Sequence, residues 1–333
     1  MNKILSVIIP YYKEGEKDIL PLLSSLNNQL GVDYSQIECI LVNDGNHNVL
    51  SESFLTMFHN LEIRIIYMEE NRGPGIARQT GIDNANGEYM MFCDADDIIH
   101  SVGVIGAFMQ EIEESHPDII TSQWIEELYD YKQGKFIYYN HEDEITWMHG
   151  KVFRRIFIQT RNIRFHDYLR VHEDSYFLAI AFASTNNAKK ILVTTYVWKW
   201  GNDSITRRNN ALYTFDSSTE FIKAIGLSFG EVERINPSQM QYKVIQFIMY
   251  QYFTTHEPHW QEPEKAEYLK RSEEALRNLL KGYIKYFENA TMEYINEVYL
   301  QERAKHSHTI ENELFHNWLN RILYLNELLE TSA

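Results

Sequence analysis

Cysteine and proline are scarce in this chain of 333 residues, with two of the first and seven of the second. The two cysteines, Cys39 and Cys93, both lie in apolar strand-like runs. They exclude a disulfide scaffold and read as buried thiols of a reducing cytoplasm. The Cys/His spacing of a zinc site is missing too, and His256-x-x-His259 stands alone beside Pro258. Basic residues are outnumbered, 31 against 47 acidic, for a formal net charge of -16. Such a balance argues against a surface built to neutralise nucleic-acid phosphates, or to sit on an anionic membrane by charge alone. One local exception, Lys151-Val-Phe-Arg154-Arg155, reads either as a basic groove or as a solvated helix face. No apolar run approaches the ~20 residues that span a bilayer. The first five residues lead at once into a strand-like run ending at Pro10, which is not the pattern of a signal peptide. A soluble cytoplasmic protein is expected, with peripheral attachment to a membrane left open.

What is present is an ordinary globular composition, 44% hydrophobic, with room for one large domain or two smaller ones. Up to about residue 120, strand-like runs at 5–9, 37–42, 63–67 and 89–93 alternate with helical spacing at 18–30, 50–59 and 75–84. Such alternation implies a parallel sheet covered by helices. Between about 118 and 205 the pattern is mixed, with strands expected at 119–124, 135–139 and 191–198. From about 210 onward only helical periodicity remains, clearest at 264–287, 292–305 and 310–329, and its recurring aromatics read as bundle core. The expected division is an α/β domain over 1–207 and a helical domain over 208–333. The helical part is a candidate surface for homo-oligomerisation.

The chemistry gathers where strands end. The run Met91-Phe92-Cys93-Asp94-Ala95-Asp96-Asp97 drives an apolar strand into three carboxylates. Massed carboxylates stay ionised only beside something positive, and a hard divalent cation bridging to phosphates suits them. The plainer alternative is an acidic turn capping the next helix, with Asp97 as its first residue. Three earlier strands end in Pro10-Tyr11-Tyr12-Lys13-Glu14, Asn43-Asp44-Gly45-Asn46 and Asn71-Arg72-Gly73-Pro74-Gly75-Ile76-Ala77-Arg78. Four such loops converge on one rim if their strands are parallel, and a nucleotide would fit there. An aromatic ring can stack a base, Asp44 can accept from a base N–H, and Arg78 can lie near the base or phosphates. Gly73-x-Gly75 is a poor dinucleotide fingerprint, because it follows a later strand and Arg78 stands where a third glycine belongs.

In this order and spacing the motifs resemble family 2 glycosyltransferases of the GT-A fold. The resemblance is carried by Ser6-Val7-Ile8-Ile9-Pro10-Tyr11-Tyr12, Val42-Asn43-Asp44-Gly45, Glu70 through Gly81, Gly87-Glu88-Tyr89 and Phe92 through Asp97. It continues more loosely through Trp147-x-x-Gly150-Lys151-Val152-Phe153-Arg154, Arg164-Phe165, His172-Glu173-Asp174-Ser175-Tyr176-Phe177 and the segment 198–206. It implies an α/β, Rossmann-related, mostly parallel sheet flanked by helices, with a nucleotide-sugar half over 1–100 and an acceptor half over 101–207. It also implies roles. Pro10, Tyr12, Asp44, Asn71 and Arg78 would hold the base of a nucleotide-sugar, most often a UDP-sugar. Asp94 would contact the ribose or brace the metal, with Ala95 beside it, and Asp96 would ligate Mn²⁺ or Mg²⁺. Of the acidic pair Glu173-Asp174, Asp174 would be the catalytic base. Asn43 departs from the family, which usually carries another Asp there.

The reaction so implied is metal-dependent, inverting transfer of a sugar to a hydroxyl of a glycan, lipid-linked glycan or glycoprotein. The second reading of the acidic pair is a helix start before a buried Tyr176 and Phe177. Ser204, Thr206 and Arg207 either close over the diphosphate or form a polar turn. Trp124 and Trp147 are sugar platforms or core, and His166 and His172 border the acceptor or serve the surface. Two other functions compete: a nucleotidyltransferase of similar fold, and a non-catalytic scaffold working through its helices. The first usually has a glycine-rich basic loop after strand one, which Tyr11-Tyr12-Lys13-Glu14 is not.

Overall fold

The computed structural model describes residues 3–46, 49–142, 144–201, 212–306 and 312–330. The chain divides into two compact units, Met1–Ser204 and Ile205–Ala333. The first is built on one sheet in the order β3-β2-β1-β4-β8-β6-β9-β5, with β7 paired to β6. Its strands are β1 (Leu5–Tyr11), β2 (Ile37–Asn43), β3 (Ile63–Tyr67), β4 (Tyr89–Phe92), β5 (Ile98–Ile99), β6 (Ile119–Asp130), β7 (Lys135–His141), β8 (Lys151–Arg154) and β9 (Ala188–Trp198). The helices are α1 (Glu16–Asn27), α2 (Glu52–Leu55), α3 (Pro74–Asn84), α4 (Val104–Ser115), α5 (Arg155–Thr160) and α6 (Glu173–Ala183).

The first four strands are parallel; β1, β2 and β4 carry the apolar runs of strands covered on both faces, whereas β3 at the sheet edge is half-exposed. Every residue of β1, β2 and β4 is buried. Their register aligns Tyr11 with Asn43 and Asn43 with Tyr67, so the following loops leave from one edge. The chain steps outward from β1 to β3 and then returns to β4 on the other side of β1. That reversal is a topological switch point, where the crevice at the strand ends receives ligands. The sheet as a whole is mixed, because β8 runs antiparallel to both β4 and β6.

Several expectations need correcting. Lys151–Arg154 is a strand, neither a solvated helix face nor a basic groove, and Lys151 is buried in it. The helix read over 50–59 forms only as the single turn α2, capped by Ser51. Asp97 starts no helix: the chain enters the two-residue β5, and α4 begins at Val104.

In the second unit the helices are α7 (Tyr213–Asp216), α8 (Ser218–Ile235), α9 (Met240–Thr255), α10 (Ala266–Tyr283), α11 (Lys285–Glu288), α12 (Met292–Arg303) and α13 (Asn312–Glu330). Within it α8 packs on α10, α9 on α12, and α10 on α13. Of the aromatics expected in its core, Tyr299 and Trp318 are buried and Tyr283, Tyr286, Phe287 and Tyr294 only half-buried, while Phe229, Tyr252, Phe253 and Phe315 supply most of the buried rings. His256 of the isolated histidine pair bonds through Nδ1 to the Tyr252 carbonyl (2.7 Å). No helix among the described residues is long and apolar enough to cross a membrane.

Candidate active site

The loops after β1 to β4 meet as the parallel register demands. Asp44, just past β2, is 4% exposed. Its two oxygens accept the backbone N–H groups of Arg72 (2.7 Å) and Gly73 (2.8 Å), tying the second loop to the third. The remaining lone pairs are what Asp44 can offer a base N–H. Asn71 is engaged too: Arg170 donates to its side-chain oxygen (2.7 Å) and its carbonyl (3.2 Å). Pro10 is buried at the end of β1, whereas the Tyr12 ring is 37% exposed on the rim. Such a half-open ring leaves a face on which a planar ligand could stack.

Arg78 is buried on α3. Its guanidinium donates to Asp94 (2.7 Å) and to Glu173 (2.8 Å), 95 residues away, which brings the two acidic motifs into one network. Its Nε is buried without a hydrogen-bond partner. Burial alone would raise the Asp94 carboxyl, but Arg78, with His149 nearby, holds it below the usual carboxylate range. For Glu173 burial prevails over Arg78 and the carboxyl is raised. Gly75 makes room for this pair, because a Cβ there would lie 2.9 Å from Glu173 Cγ and 3.1 Å from its Cβ.

The three carboxylates after β4 have separate surroundings. Asp97 is wholly buried, accepting the Tyr196 hydroxyl (2.6 Å) and the Lys199 N–H (2.8 Å). The same hydroxyl accepts the Asp94 N–H (2.9 Å), so Tyr196 pins the loop at two points. Burial, then the neighbouring Asp94 and Asp96, push the Asp97 carboxyl well up. Asp96 is exposed, and no side chain among the described residues hydrogen-bonds its carboxylate. Partial desolvation, with Asp94 and Glu14 close by, raises it to about 6. Ala95 is buried between them.

Asp174, on the first turn of α6, accepts the Ser175 N–H (2.7 Å) and, at longer range, the Ser175 hydroxyl (3.5 Å). Burial first, and the adjacent Glu173 second, lift its carboxyl to about 7, against the opposing pull of Arg78. A carboxylate poised near neutrality is suited to take a proton from a hydroxyl. Before it, His172 occupies a left-handed conformation at φ 57° and turns the chain into the helix.

Ligand atoms of Asp94, Asp97 and His149 lie within 4.8 Å of one another, a spacing one cation can bridge. Asp96, the ligand expected from sequence, is not in this group; carboxylate oxygens such as those of Asp94 and Asp97 suit a hard divalent ion, and the imidazole nitrogen also accepts manganese. His149 was not among the residues singled out from sequence, although the motif Trp147-x-x-Gly150-Lys151 contains it. Tyr196 and Arg170 were missed as well, since neither belongs to a recognisable pattern. Trp124 is core, 1% exposed, and stacks on His141 at 3.9 Å between centroids. Trp147 is half-buried against Trp198 (4.9 Å). His166 packs edge-on against Tyr176. Ser204, Thr206 and Arg207 lie outside the described residues.

Comparison with known proteins bears on this arrangement. Residues 6–168 match the family described as glycosyl transferase family 2. Glycosyltransferase GlyG of Streptococcus pneumoniae is 30% identical over 142 residues, 42% of this chain and 44% of that protein. The uncharacterized glycosyltransferase EpsJ of Bacillus subtilis is 27% identical over 227 residues, 62% of this chain and 64% of that one. The chain thus spans less than two thirds of the length of either relative. Among solved structures, S. aureus TarS 1-349 in complex with UDP-GlcNAc superposes with a TM-score of 0.66 at 18% identity. That superposition covers 90% of this chain and 89% of that one, and at such identity it speaks for the GT-A fold.

Proposed function

We propose that this chain, which matches glycosyl transferase family 2 over residues 6–168 and has the GT-A fold, is a metal-dependent, inverting glycosyltransferase that uses a UDP-sugar. The observation that carries the proposal is the single network joining Asp94 on the donor side to Glu173-Asp174 through Arg78. The UDP-GlcNAc in the TarS complex supports a uridine nucleotide as donor. In this reading the base lies against Tyr12, framed by Pro10, Asp44 and Asn71. Arg78 belongs to the donor site from beneath, holding Asp94 ionised and offsetting part of the burial of Glu173. Ala95 backs the ribose.

Asp96 and Asp94 would hold Mn²⁺ or Mg²⁺, which when bound supplies Lewis-acid neutralisation of charge on the departing diphosphate. Asp174 accepts the proton of the acceptor hydroxyl as that oxygen attacks the anomeric carbon. One C–O bond forms to the acceptor while the bond to the diphosphate breaks on the opposite face, so the anomeric configuration inverts. Glu173 has a different task, because its carboxylate is engaged by Arg78 and it positions the start of α6. The acceptor is a carbohydrate-type hydroxyl, as in polysaccharide assembly, and the helical unit contributes to acceptor choice or to self-association. The negative formal charge weighs against nucleic acid as partner.

The test is a panel of UDP-sugars with Mn²⁺, followed by release of UDP, with and without chelator. Chelator-sensitive UDP release from at least one donor is expected. Absence of UDP release from every donor, together with no calorimetric binding of UDP, rejects the proposal.

A further inference from the structure

A lysine lies almost wholly inside the catalytic unit. Lys151, at the start of β8, is 1% exposed, and its Nζ donates to the carbonyls of Glu144 (3.0 Å), Trp147 (2.6 Å) and His149 (3.3 Å). An ammonium has three donors, and here all three serve main-chain oxygens of one loop. Burying a cation without an ion pair is costly, so a residue that merely filled space would be better apolar. Burial draws its pKa down to about 8, against the pull of the Glu144 and Asp174 carboxylates.

The loop gathered in this way, 144–149, is held at both ends. The Glu144 carboxylate accepts the N–H groups of Thr146 (2.6 Å) and Trp147 (2.9 Å). At the other end Gly150 turns at φ +64°, where a Cβ would lie 2.6 Å from Ser122 Oγ. That same hydroxyl donates to the Gly150 carbonyl (2.7 Å). The loop delivers His149, whose ring lies on Tyr196 (4.8 Å between centroids, 19° between planes) and beside Trp198 (5.3 Å). Tyr196 is the residue whose hydroxyl pins Asp94 and Asp97. His149 therefore sits over the acidic loop, with a ring nitrogen in the group of ligand atoms that lie within 4.8 Å.

We propose that Lys151 is a positioning residue of the donor site: it folds the 144–149 loop so that His149 faces Asp94 and helps hold the divalent cation there. The inference rests on the cation-dependent donor site proposed above. Its chain of action runs from ammonium to three carbonyls, from the loop to the imidazole, and from the imidazole to the acidic loop.

The test is a double-mutant cycle on the full-length chain, read as Mn²⁺ affinity in the presence of UDP by electron paramagnetic resonance. His149→Ala and Lys151→Met should each weaken Mn²⁺ binding by about tenfold or more, as loss of groups that orient a metal site does. The double variant should be no weaker than the poorer single one, because both remove the same link. Lys151→Gln, which retains N–H donors, should recover part of the affinity, and takes the place of Lys151→Met in the cycle if that variant does not fold. Losses that multiply in the double variant overturn the inference. So does wild-type Mn²⁺ affinity in His149→Ala, whatever the lysine variants do. A wild-type protein that binds neither Mn²⁺ nor UDP overturns the donor-site reading first, and this inference with it.

Discussion

Two acidic clusters, one at the end of a strand and one at the start of a helix, solve the same problem in the same way. After β4, Asp97 is spent on the Tyr196 hydroxyl and the Lys199 N–H, while Asp96 stays open. At the start of α6, Glu173 is spent on Arg78, while Asp174 accepts from Ser175 alone among the described residues. In each pair one carboxylate is anchored by the fold, and the other is held more lightly. The difference between the clusters lies in burial. Asp96 is exposed, where a hydrated cation could reach it, and Asp174 is pushed to about 7, where a proton can come and go. Adjacent residues of the same type thus take unlike tasks because their surroundings differ.

The strongest way to break this comparison is to neutralise the open members. Asp174→Asn should lower turnover by about 10² to 10⁴-fold, the contribution of a positioned general base, with UDP binding little changed. Single-turnover kinetics beside calorimetry would show it, and wild-type turnover removes Asp174 from the base role. Asp96→Ala should weaken Mn²⁺-dependent UDP binding by at least about 100-fold, the upper range for groups one shell further from a metal. Thermal stability should hold, since no side chain among the described residues hydrogen-bonds that carboxylate.

The anchored members should behave in the opposite manner. Asp97→Ala leaves the buried Tyr196 hydroxyl without an acceptor, at about 1–3 kcal/mol, and frees the part-buried Lys199 N–H at a smaller cost. A lowered Tm is expected to accompany whatever activity is lost. Titration separates the clusters further. The base must be ionised to work, so kcat/KM should climb about tenfold per pH unit below 7 and level off above it. The stability effect has the reverse sign. A carboxyl raised in the fold favours the folded state at low pH, and that contribution is lost as pH rises through about 7. Asp174→Asn should accordingly keep or gain Tm at pH 8 while losing activity. The smallest effect should come from Gly75→Ala, which crowds Glu173 and costs about 1–3 kcal/mol by overpacking. A several-fold fall in turnover with unchanged Mn²⁺ affinity would place the damage on the helix-start cluster alone.

Much of the first four strands was legible because β1, β2 and β4 are buried on both faces and read as unbroken apolar runs. The loops that follow them carry residues whose types already suggest a nucleotide and a cation. What escaped sequence reading is tertiary in origin. Lys151 looks like a surface cation until three carbonyls of 144–149 surround it. Arg78 looks like a ligand-facing residue until Asp94 and Glu173 are seen to share it. His149 and Tyr196 meet across 47 positions of chain, with no periodicity to signal the pairing. Strand β8 was missed because only four residues long, with a cation at each end, it has no strand pattern of its own. The helical unit shows the reverse: its helices were legible, whereas which of its aromatics are buried was not.

The division of labour between the clusters can be measured directly by titrating UDP, with Mn²⁺ present, into wild-type, Asp96→Ala and Asp174→Asn proteins. The account predicts that wild type and Asp174→Asn bind alike and that Asp96→Ala does not bind measurably. Binding retained by Asp96→Ala, or lost in Asp174→Asn, would contradict it.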